Sequence, residues 1–383
     1  MMAYIKEIIK RFKVLQFVLV LILTGVVTIG CGSGSSKSGP NDAGPVLLKF
    51  TSTAFESCVR GELAGLGYDV PADLYSDDEM VLNLTSLDCS TLGIVSIQGL
   101  EYFTGLTELY LYENSIEDIS ALSGLTSLTS LDIEINSITD ISALSGLTSL
   151  EYLVLGFNNI TDVSALSGLT SLTELYLNSS GITDMGALSG LTSLITLDLD
   201  DNSITDISAF SGLTSLTNLD LGYNSITGIS GLSGLTSLVQ LDLRDNSITD
   251  ISALSGLTLL EYLFLTNNGI TDMGSISGLT SLIHLDLEFN SITVVSDLSG
   301  LTSLITLRLG DNIIEDISGL SGLTSIDDIR LNNNSIADVG VLSGLSPLYS
   351  LNVSNNFICD LTPTDGMSIT YYFWEPQNSD LCI

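Results

Sequence analysis

Hydrophobic positions recur along most of this chain with a period of 22, as the equivalent residues Leu109, Leu131 and Leu153 show. In one copy, Leu125 to Gly146, the apolar Leu131 and Ile133 alternate with polar neighbours, which predicts a short β-strand with one buried face. A fixed period of this length is typical of a solenoid, in which each unit packs mainly against its neighbours. The 383 residues are therefore expected to form one long repeat body rather than two ordinary domains.

An asparagine follows each predicted strand, at the position where the chain turns. Its side-chain amide both donates and accepts hydrogen bonds, so stacked copies can satisfy the backbone groups of the turns. Ser180 interrupts the series, and we expect faster amide exchange around residues 176–183. The asparagine positions are Asn114, Asn136, Asn158, Asn202, Asn224, Asn246, Asn268, Asn290, Asn312, Asn334 and Asn356.

The second half of each unit returns along the opposite side. Ile138, Ile141 and Leu144 continue the apolar pattern there. Asp140 comes just before Ile-Ser-Ala-Leu, which predicts a capped, short 3-10 turn.

The repeat phrase resembles the leucine-rich-repeat superfamily, and the 22-residue length with Asn-x-Ile-x-Asp-Ile resembles its internalin-like subclass of secreted bacterial proteins. The resemblance covers about residues 81–360. It implies an α/β solenoid, a right-handed superhelix with a parallel β-sheet on the concave face and short 3-10 turns on the convex face. About 13 repeats of period 22 would fill residues 81–358, and the family implies binding rather than catalysis.

Both ends of the repeat array are expected to be covered. Apolar residues from Phe55 to Leu66 fall at near-helical spacing, which predicts a helical N-terminal cap over residues 51–80. The aromatic-rich segment 359–383 is expected to fold over the last repeat as a C-terminal cap.

Five cysteines lie near the ends of the chain. Two pairs are placed to act as staples in an oxidising compartment, and the alternative is that they are small buried residues. The predicted disulfides are Cys58–Cys89 and Cys359–Cys382.

The segment 1–30 reads as a lipoprotein signal peptide. Basic residues precede an apolar run from Val14 to Gly30, and Thr28-Ile29-Gly30-Cys31 resembles a bacterial lipobox with lipid on Cys31. Residues 31–50 would form a flexible tether. The protein is then secreted across the inner membrane and lipid-anchored at an outer membrane or cell surface. An uncleaved membrane helix is the alternative reading of the same run.

The charge of the chain excludes one class of partner. Four of the ten basic residues and one of the 45 acids lie in the segment 1–13, so the remainder carries six basic and 44 acidic residues, a formal net charge of −38. Such a body repels phosphate backbones and anionic lipid, which excludes nucleic-acid binding and leaves the lipid anchor as the membrane contact. It favours cationic partners.

Strand positions that point away from the core carry aromatic residues in two groups. Exposed rings of this kind are typical of binding hot spots, and incidental stacking between neighbouring strands is the alternative. The candidate ligand-binding aromatics are Tyr110, Tyr112, Tyr152, Phe157 and Tyr176 toward one end, and Tyr223, Tyr262, Phe264 and Phe289 further along.

Between the aromatic groups, Asp198, Asp220 and Asp242 are predicted to stack on three consecutive strands and are further ligand-binding candidates. Like charges about 4.8 Å apart are destabilising unless a cation relieves them. Arg244, a basic ligand or Ca²⁺ could do so, and solvation on an acidic surface is the simplest alternative. No other cofactor is indicated.

These features favour an extracytoplasmic module that binds a protein on its concave face, in surface adhesion or partner interaction. A glycan fits less well. The alternative function is a structural or surface-array role, in which Ser/Thr ladders such as Ser225-x-Thr227 and Ser247-x-Thr249 bind a repetitive surface. Catalysis is not expected, since His284 is the only histidine and no nucleophile or phosphate-loop motif appears.

Overall fold

A computed structural model describes residues 44–345 and 347–374. The signal segment, Cys31, most of the tether and Cys382 lie outside the described residues. Within the described ranges, two helices precede the repeats: α1 (Thr53–Gly65) and the single turn α2 (Glu79–Leu82). No helix in the described part of the chain is long and apolar enough to cross a membrane.

Helix α1 covers the start of the array. Ser52 caps it, since the Phe55 N–H donates to the Ser52 hydroxyl at 3.3 Å, and its apolar face buries Phe55, Val59 and Leu63. A disulfide joins Cys58 to Cys89 with the Cα atoms 5.8 Å apart, the pairing expected from the sequence.

The tether prediction extends too far toward the folded body. Leu47 forms an antiparallel bridge with Tyr75, and the Leu48 N–H donates to the Leu74 carbonyl at 2.8 Å. Leu48 is buried, so burial of this one apolar side chain helps to hold the stretch against the N-terminal cap.

Among the residues that the structure describes, fourteen parallel strands form one sheet in chain order, the leucine-rich-repeat architecture that the sequence predicts. Neighbouring strands up to β13 pair one repeat apart, for example Leu109 with Leu131. The strands are β1 (Ser86–Asp88), β2 (Glu108–Tyr110), β3 (Ser130–Asp132), β4 (Tyr152–Val154), β5 (Glu174–Tyr176), β6 (Thr196–Asp198), β7 (Asn218–Asp220), β8 (Gln240–Asp242), β9 (Tyr262–Phe264), β10 (His284–Asp286), β11 (Thr306–Arg308), β12 (Asp328–Arg330), β13 (Leu348–Asn352) and β14 (Ile369–Phe373).

A continuous apolar core lies between the sheet and the 3-10 turns. The strand leucines and the Ile and Leu residues of the return segments are almost fully buried, as Leu131, Ile138 and Leu144 show. Short 3-10 turns such as Ser142–Leu144 form the opposite side. Asp140 accepts a hydrogen bond from the Ser142 N–H at 2.8 Å, which is the capping role predicted for it.

The C-terminal segment adds a strand to the sheet. β14 pairs in parallel with β13, with Ser350 opposite Tyr371. Its aromatic side chains Tyr371 and Phe373 are exposed. Cys359 is disulfide-bonded.

Candidate functional site

The side chains that point away from the core form columns across the strands. The first column holds the first residue of each short strand, and the middle column holds the third, two residues later. A third set, here called the outer column, holds the residue directly before each turn asparagine, from Thr91 to Asn355. Because strands lie about 4.8 Å apart, side chains in one column contact each other from repeat to repeat.

The N-terminal aromatic group packs into a hydrogen-bonded layer. The rings of Tyr152 and Tyr176 lie 5.8 Å apart, and the Tyr176 hydroxyl donates to Glu174 Oε2 at 2.9 Å. Burial raises the pKa of both tyrosines. Tyr110 lies further along the same face, with its hydroxyl 3.4 Å from Glu108 Oε2.

The expectation that all the candidate rings are exposed is wrong for the middle of the face. Tyr110, Tyr112, Tyr152, Tyr176 and Phe264 are half-buried, because long side chains on closely spaced strands cover one another. The more exposed candidates lie at or beyond the ends of the strands. They are Tyr262 in the first column, and Phe157, Tyr223 and Phe289 in the outer column.

The second aromatic group is built around Phe264. Its ring centroid lies 4.9 Å from that of His284, and the Arg244 guanidinium carbon lies 5.1 Å from the same ring on the other side. Burial, with the nearby Arg308 charge, lowers the pKa of His284 to about 4. His284 is therefore neutral at pH 7 and acts as part of the packed layer.

Most of the middle-column aspartates bind their own backbone. Oδ1 of Asp198 accepts the Asp200 N–H at 3.1 Å, and Asp220 and Asp242 accept the N–H groups of Gly222 and Arg244 at 3.0 Å. This bond, from a carboxylate to the amide two residues on, is the aspartate-turn geometry that ends a strand. The recurrence of Asp198, Asp220 and Asp242 is therefore explained in large part by this bond, which stabilises the turn after each strand.

The aspartate stack exists in the predicted register, with Asp198 and Asp220 half-buried and Asp242 buried. Asp198 pairs with Asp220 and Asp220 with Asp242, and Asp242 is only 2% exposed. The Arg244 guanidinium binds Asp242 Oδ2, its Nε at 2.7 Å. Burial, followed by neighbouring carboxylates, raises the pKa of Asp220.

Asp200 is held close to this stack. A Cβ at Gly222 would lie 2.8 Å from Asp200 Oδ1, so the glycine makes room for the carboxylate. Burial and then the charges of Asp198 and Asp242 raise the pKa of Asp200 to about 7. No group of three or more acidic, His or Cys side chains within the described ranges is arranged to hold a metal ion, so the calcium alternative receives no support.

One polar cluster on this face was not found from the sequence. Arg308 Nη1 lies 3.3 Å from Asp286 Oδ2, and Arg308 pairs in register with Arg330 on the next strand. Three atoms there are buried and unpaired among the described residues: His284 Nε2, Arg308 Nε and Asp328 Oδ1. The rarity of basic residues in this acidic chain was the available signal.

The hydroxyl ladders lie away from the sheet face. Ser225, Thr227, Ser247 and Thr249 are exposed in the segments that follow the turn asparagines. The concave columns and these ladders are therefore separate surfaces that can be mutated independently.

The repeats match the sequence pattern of a known protein family. A family model described as leucine-rich repeats in two copies matches eight overlapping or adjoining segments, which together cover more than half of the chain. They are residues 104–146, 126–169, 148–190, 170–213, 192–234, 214–256, 236–279 and 280–322.

The chain belongs to the leucine-rich-repeat family.

Within the leucine-rich-repeat family the chain is internalin-like. An internalin from Listeria monocytogenes, InlF, shares 36% sequence identity and a TM-score of 0.81, over 86% of this chain and 96% of that one. The functional domain of InlJ from the same species, which includes a cysteine ladder, shares 25% identity and a TM-score of 0.52, over 81% and 80% of the chains.

A plant receptor shows the same fold with a ligand bound. The Arabidopsis receptor kinase HAESA, solved in complex with the peptide hormone IDA and a co-receptor, shares 25% identity and a TM-score of 0.66. The alignment covers 77% of this chain and 54% of that one, so this leucine-rich-repeat chain spans about half of the HAESA chain. No curated protein gives a significant match.

Proposed function

We propose that this chain is an extracytoplasmic protein-binding module that holds a protein ligand on the concave face of its sheet, in surface adhesion or partner interaction. The observation that carries the proposal is the ordered layer of tyrosines, aspartates and arginines on that face. The rings of Tyr152 and Tyr176 pack together, Tyr176 is fixed by Glu174, and Arg244 is fixed between Asp242 and Phe264. A preordered surface of this kind loses little conformational entropy on association.

The proposed contact set joins half-buried anchors to exposed rings at the strand edges. Partly buried aromatic residues and arginines dominate binding energy in protein interfaces. The net negative charge of the repeats supports a basic ligand. The complex of HAESA with a peptide hormone supports a polypeptide rather than a glycan.

The same proposal includes an anchor outside the described residues. Residues 1–30 would be removed as a signal peptide, and Cys31 would carry the lipid that holds the module at an outer membrane or cell surface. Labelled palmitate should enter the wild-type protein in a bacterial host and should be absent from Cys31→Ala. Equal labelling of both proteins would refute the anchor.

The binding proposal is tested by immobilising the repeat body and comparing variants for capture from a mixture of secreted and surface proteins. Tyr176→Ala with Phe264→Ala removes one anchor from each aromatic group. A matched control replaces four ladder hydroxyls, Ser225, Thr227, Ser247 and Thr249, with alanine. Loss of a captured protein in the first variant alone supports the concave face. Loss in the second alone supports the surface-array function and refutes the proposal.

A further inference from the structure

The outer column has an unusual backbone. From Thr91 to Asn355, in thirteen repeats of the described chain, the residue before the turn asparagine or its counterpart has a φ between 51° and 62°. Asparagine and aspartate tolerate this left-handed region, whereas bulky side chains are rarely found there. Phe157, Tyr223 and Phe289 nevertheless adopt φ values of 53°, 51° and 55°.

These three aromatic residues are spaced evenly along the solenoid. Three repeats separate Phe157 from Tyr223, and three more separate Tyr223 from Phe289. At about 4.8 Å per strand, three repeats separate the rings by roughly 14 Å. Their exposed fractions are 39%, 39% and 52%, so they carry strained backbone without being buried in the core. Residues held in sparsely populated backbone regions cluster at binding sites and other functional positions.

Hydrogen-bonded polar pairs fill the outer column between the rings. The Ser179 hydroxyl lies 2.9 Å from Asp201 Oδ2, between Phe157 and Tyr223. The Asn267 side chain donates to Asp245 Oδ1 at 2.6 Å, between Tyr223 and Phe289. Along the outer column, one aromatic ring therefore alternates with one carboxylate that is held by a hydrogen bond.

We propose that Phe157, Tyr223 and Phe289 form a track for an extended, cationic polypeptide segment that crosses the strands. This inference rests on the proposed function and specifies the part of the protein ligand that binds along the outer column. The segment places an arginine or lysine over each ring. The carboxylates of Asp201 and Asp245, which lie between the rings, attract these positive charges.

The chemistry of the outer column favours this occupant. A guanidinium over an aromatic face is attracted by the ring quadrupole, and this chain already uses that contact between Arg244 and Phe264. An extended chain advances about 3.3 Å per residue, so rings about 14 Å apart match cationic side chains at every fourth residue. Side chains four apart on a strand also point to the same face.

The variant that tests the track uses a residue the chain already accepts. Asn267, Asn333 and Asn355 occupy the same left-handed position in other repeats. Replacing Phe157, Tyr223 and Phe289 with asparagine together removes the rings and relieves the backbone, so the thermal midpoint should stay equal or rise. Leu259→Ser is the matched control, because it removes an exposed apolar side chain at a position where neighbouring repeats carry serine.

The probe is a fluorescent synthetic peptide with arginine at every fourth residue and glycine and serine between, measured by anisotropy. A second peptide of the same composition groups its arginines together, and a third carries glutamate in place of arginine. We expect the triple asparagine variant to bind the first peptide at least about tenfold more weakly, and Leu259→Ser to bind it as the wild type does. The spaced peptide should bind more tightly than the grouped one, and the glutamate peptide should not bind.

Equal affinity of wild type and the triple asparagine variant would overturn the inference. Equal affinity for the spaced and grouped peptides would do so too, since attraction by net charge would then suffice. Failure of the spaced peptide to bind, with protein capture still lost in the Tyr176→Ala and Phe264→Ala variant, would refute the track and leave the proposed function standing. Capture that the Tyr176→Ala and Phe264→Ala variant leaves unchanged refutes the proposed function instead.

Discussion

The backbone N–H of Ile138 donates a hydrogen bond to Oδ1 of Asn158, the turn asparagine of the next repeat, at 2.9 Å. The Asn158 amide nitrogen in turn donates to the Ile133 and Leu155 carbonyls at 3.0 and 2.9 Å. One side chain thus ties its own turn to the turn before it. This link recurs along the array and transmits the geometry of each repeat to the next.

Ser180 breaks this link, and we predict that Ser180→Asn stabilises the protein. The missing acceptor would serve the N–H of Ile160, one repeat earlier than the serine, while the Ser180 hydroxyl reaches only the Asn178 carbonyl at 3.4 Å. Restoring the amide should add about 1–2 kcal/mol to the free energy of unfolding, measured in urea. Amide exchange should slow at Ile160 as well as within residues 176–183.

The reverse substitution is the control for Ser180. Asn202 now accepts the Ile182 N–H at 2.9 Å, so Asn202→Ser should create a second gap and destabilise by a similar amount. A Ser180→Asn protein that unfolds at the wild-type urea concentration, with Ile160 exchange unchanged, would show that the serine site is already satisfied.

The core and the strand register could be predicted from the sequence because only one arrangement buries every periodic leucine. Shifting Leu131 by one residue would turn it to solvent, so its pairing with Leu109 follows from the pattern alone. The burial of the concave side chains could not be predicted in this way. Whether Tyr152 is exposed depends on the ring of Tyr176 from the next repeat, and repeat positions do not specify side-chain packing across strands.

For the middle-column aspartates, the sequence predicts the bonds to the backbone but not the ion pair with Arg244. An aspartate at the end of a predicted strand indicates a bond to the N–H two residues later, as Asp198 accepts from Asp200. The ion pair between Arg244 and Asp242 could not be predicted from the sequence. It depends on side-chain packing around the Phe264 ring, which no repeat position encodes.

Val294 occupies a capping position and offers a second stability prediction. In most repeats an aspartate there accepts the N–H two residues later, as Asp250 does from Ser252 at 2.8 Å. Val294 has no acceptor and is 56% exposed. Val294→Asp and Val294→Asn should each raise the unfolding free energy by about 1 kcal/mol in urea melts. Val294→Ala should not, and stabilisation by alanine equal to that by asparagine would argue against capping.

The Cys58–Cys89 disulfide should stabilise the N-terminal end. It joins α1 to the segment after β1 and closes a loop with a sequence separation of 31 residues. Replacing both cysteines with serine should lower the unfolding free energy by about 2–4 kcal/mol and speed amide exchange from Phe55 to Leu63. The variant keeps Cys359 and so isolates one staple. Unchanged exchange in α1 would show that apolar packing alone holds the helix.

The raised pKa of Asp200 predicts that the protein becomes less stable as the pH rises toward neutrality. Its pKa is about 7 in the folded protein against an ordinary value of 3.8. Between these two values the folded state holds a proton that the unfolded chain has released, so the unfolding free energy falls as pH rises from 3.8 to about 7 and levels off above. Burial raises the pKa of Asp220 and Asp242 in the same direction.

Urea midpoints measured at about pH 5 and about pH 8 test this sign, and stability should be higher at the lower pH. Asp200→Asn should weaken the dependence and stabilise the protein at the higher pH, because it removes a buried charge. Asp118→Asn is the control, since the Ser120 N–H lowers the pKa of Asp118 and moves its titration below this window. If Asp200→Asn left the pH dependence as steep as before, Asp200 would be excluded as its source, and Asp220 and Asp242 would be the remaining groups with a raised pKa.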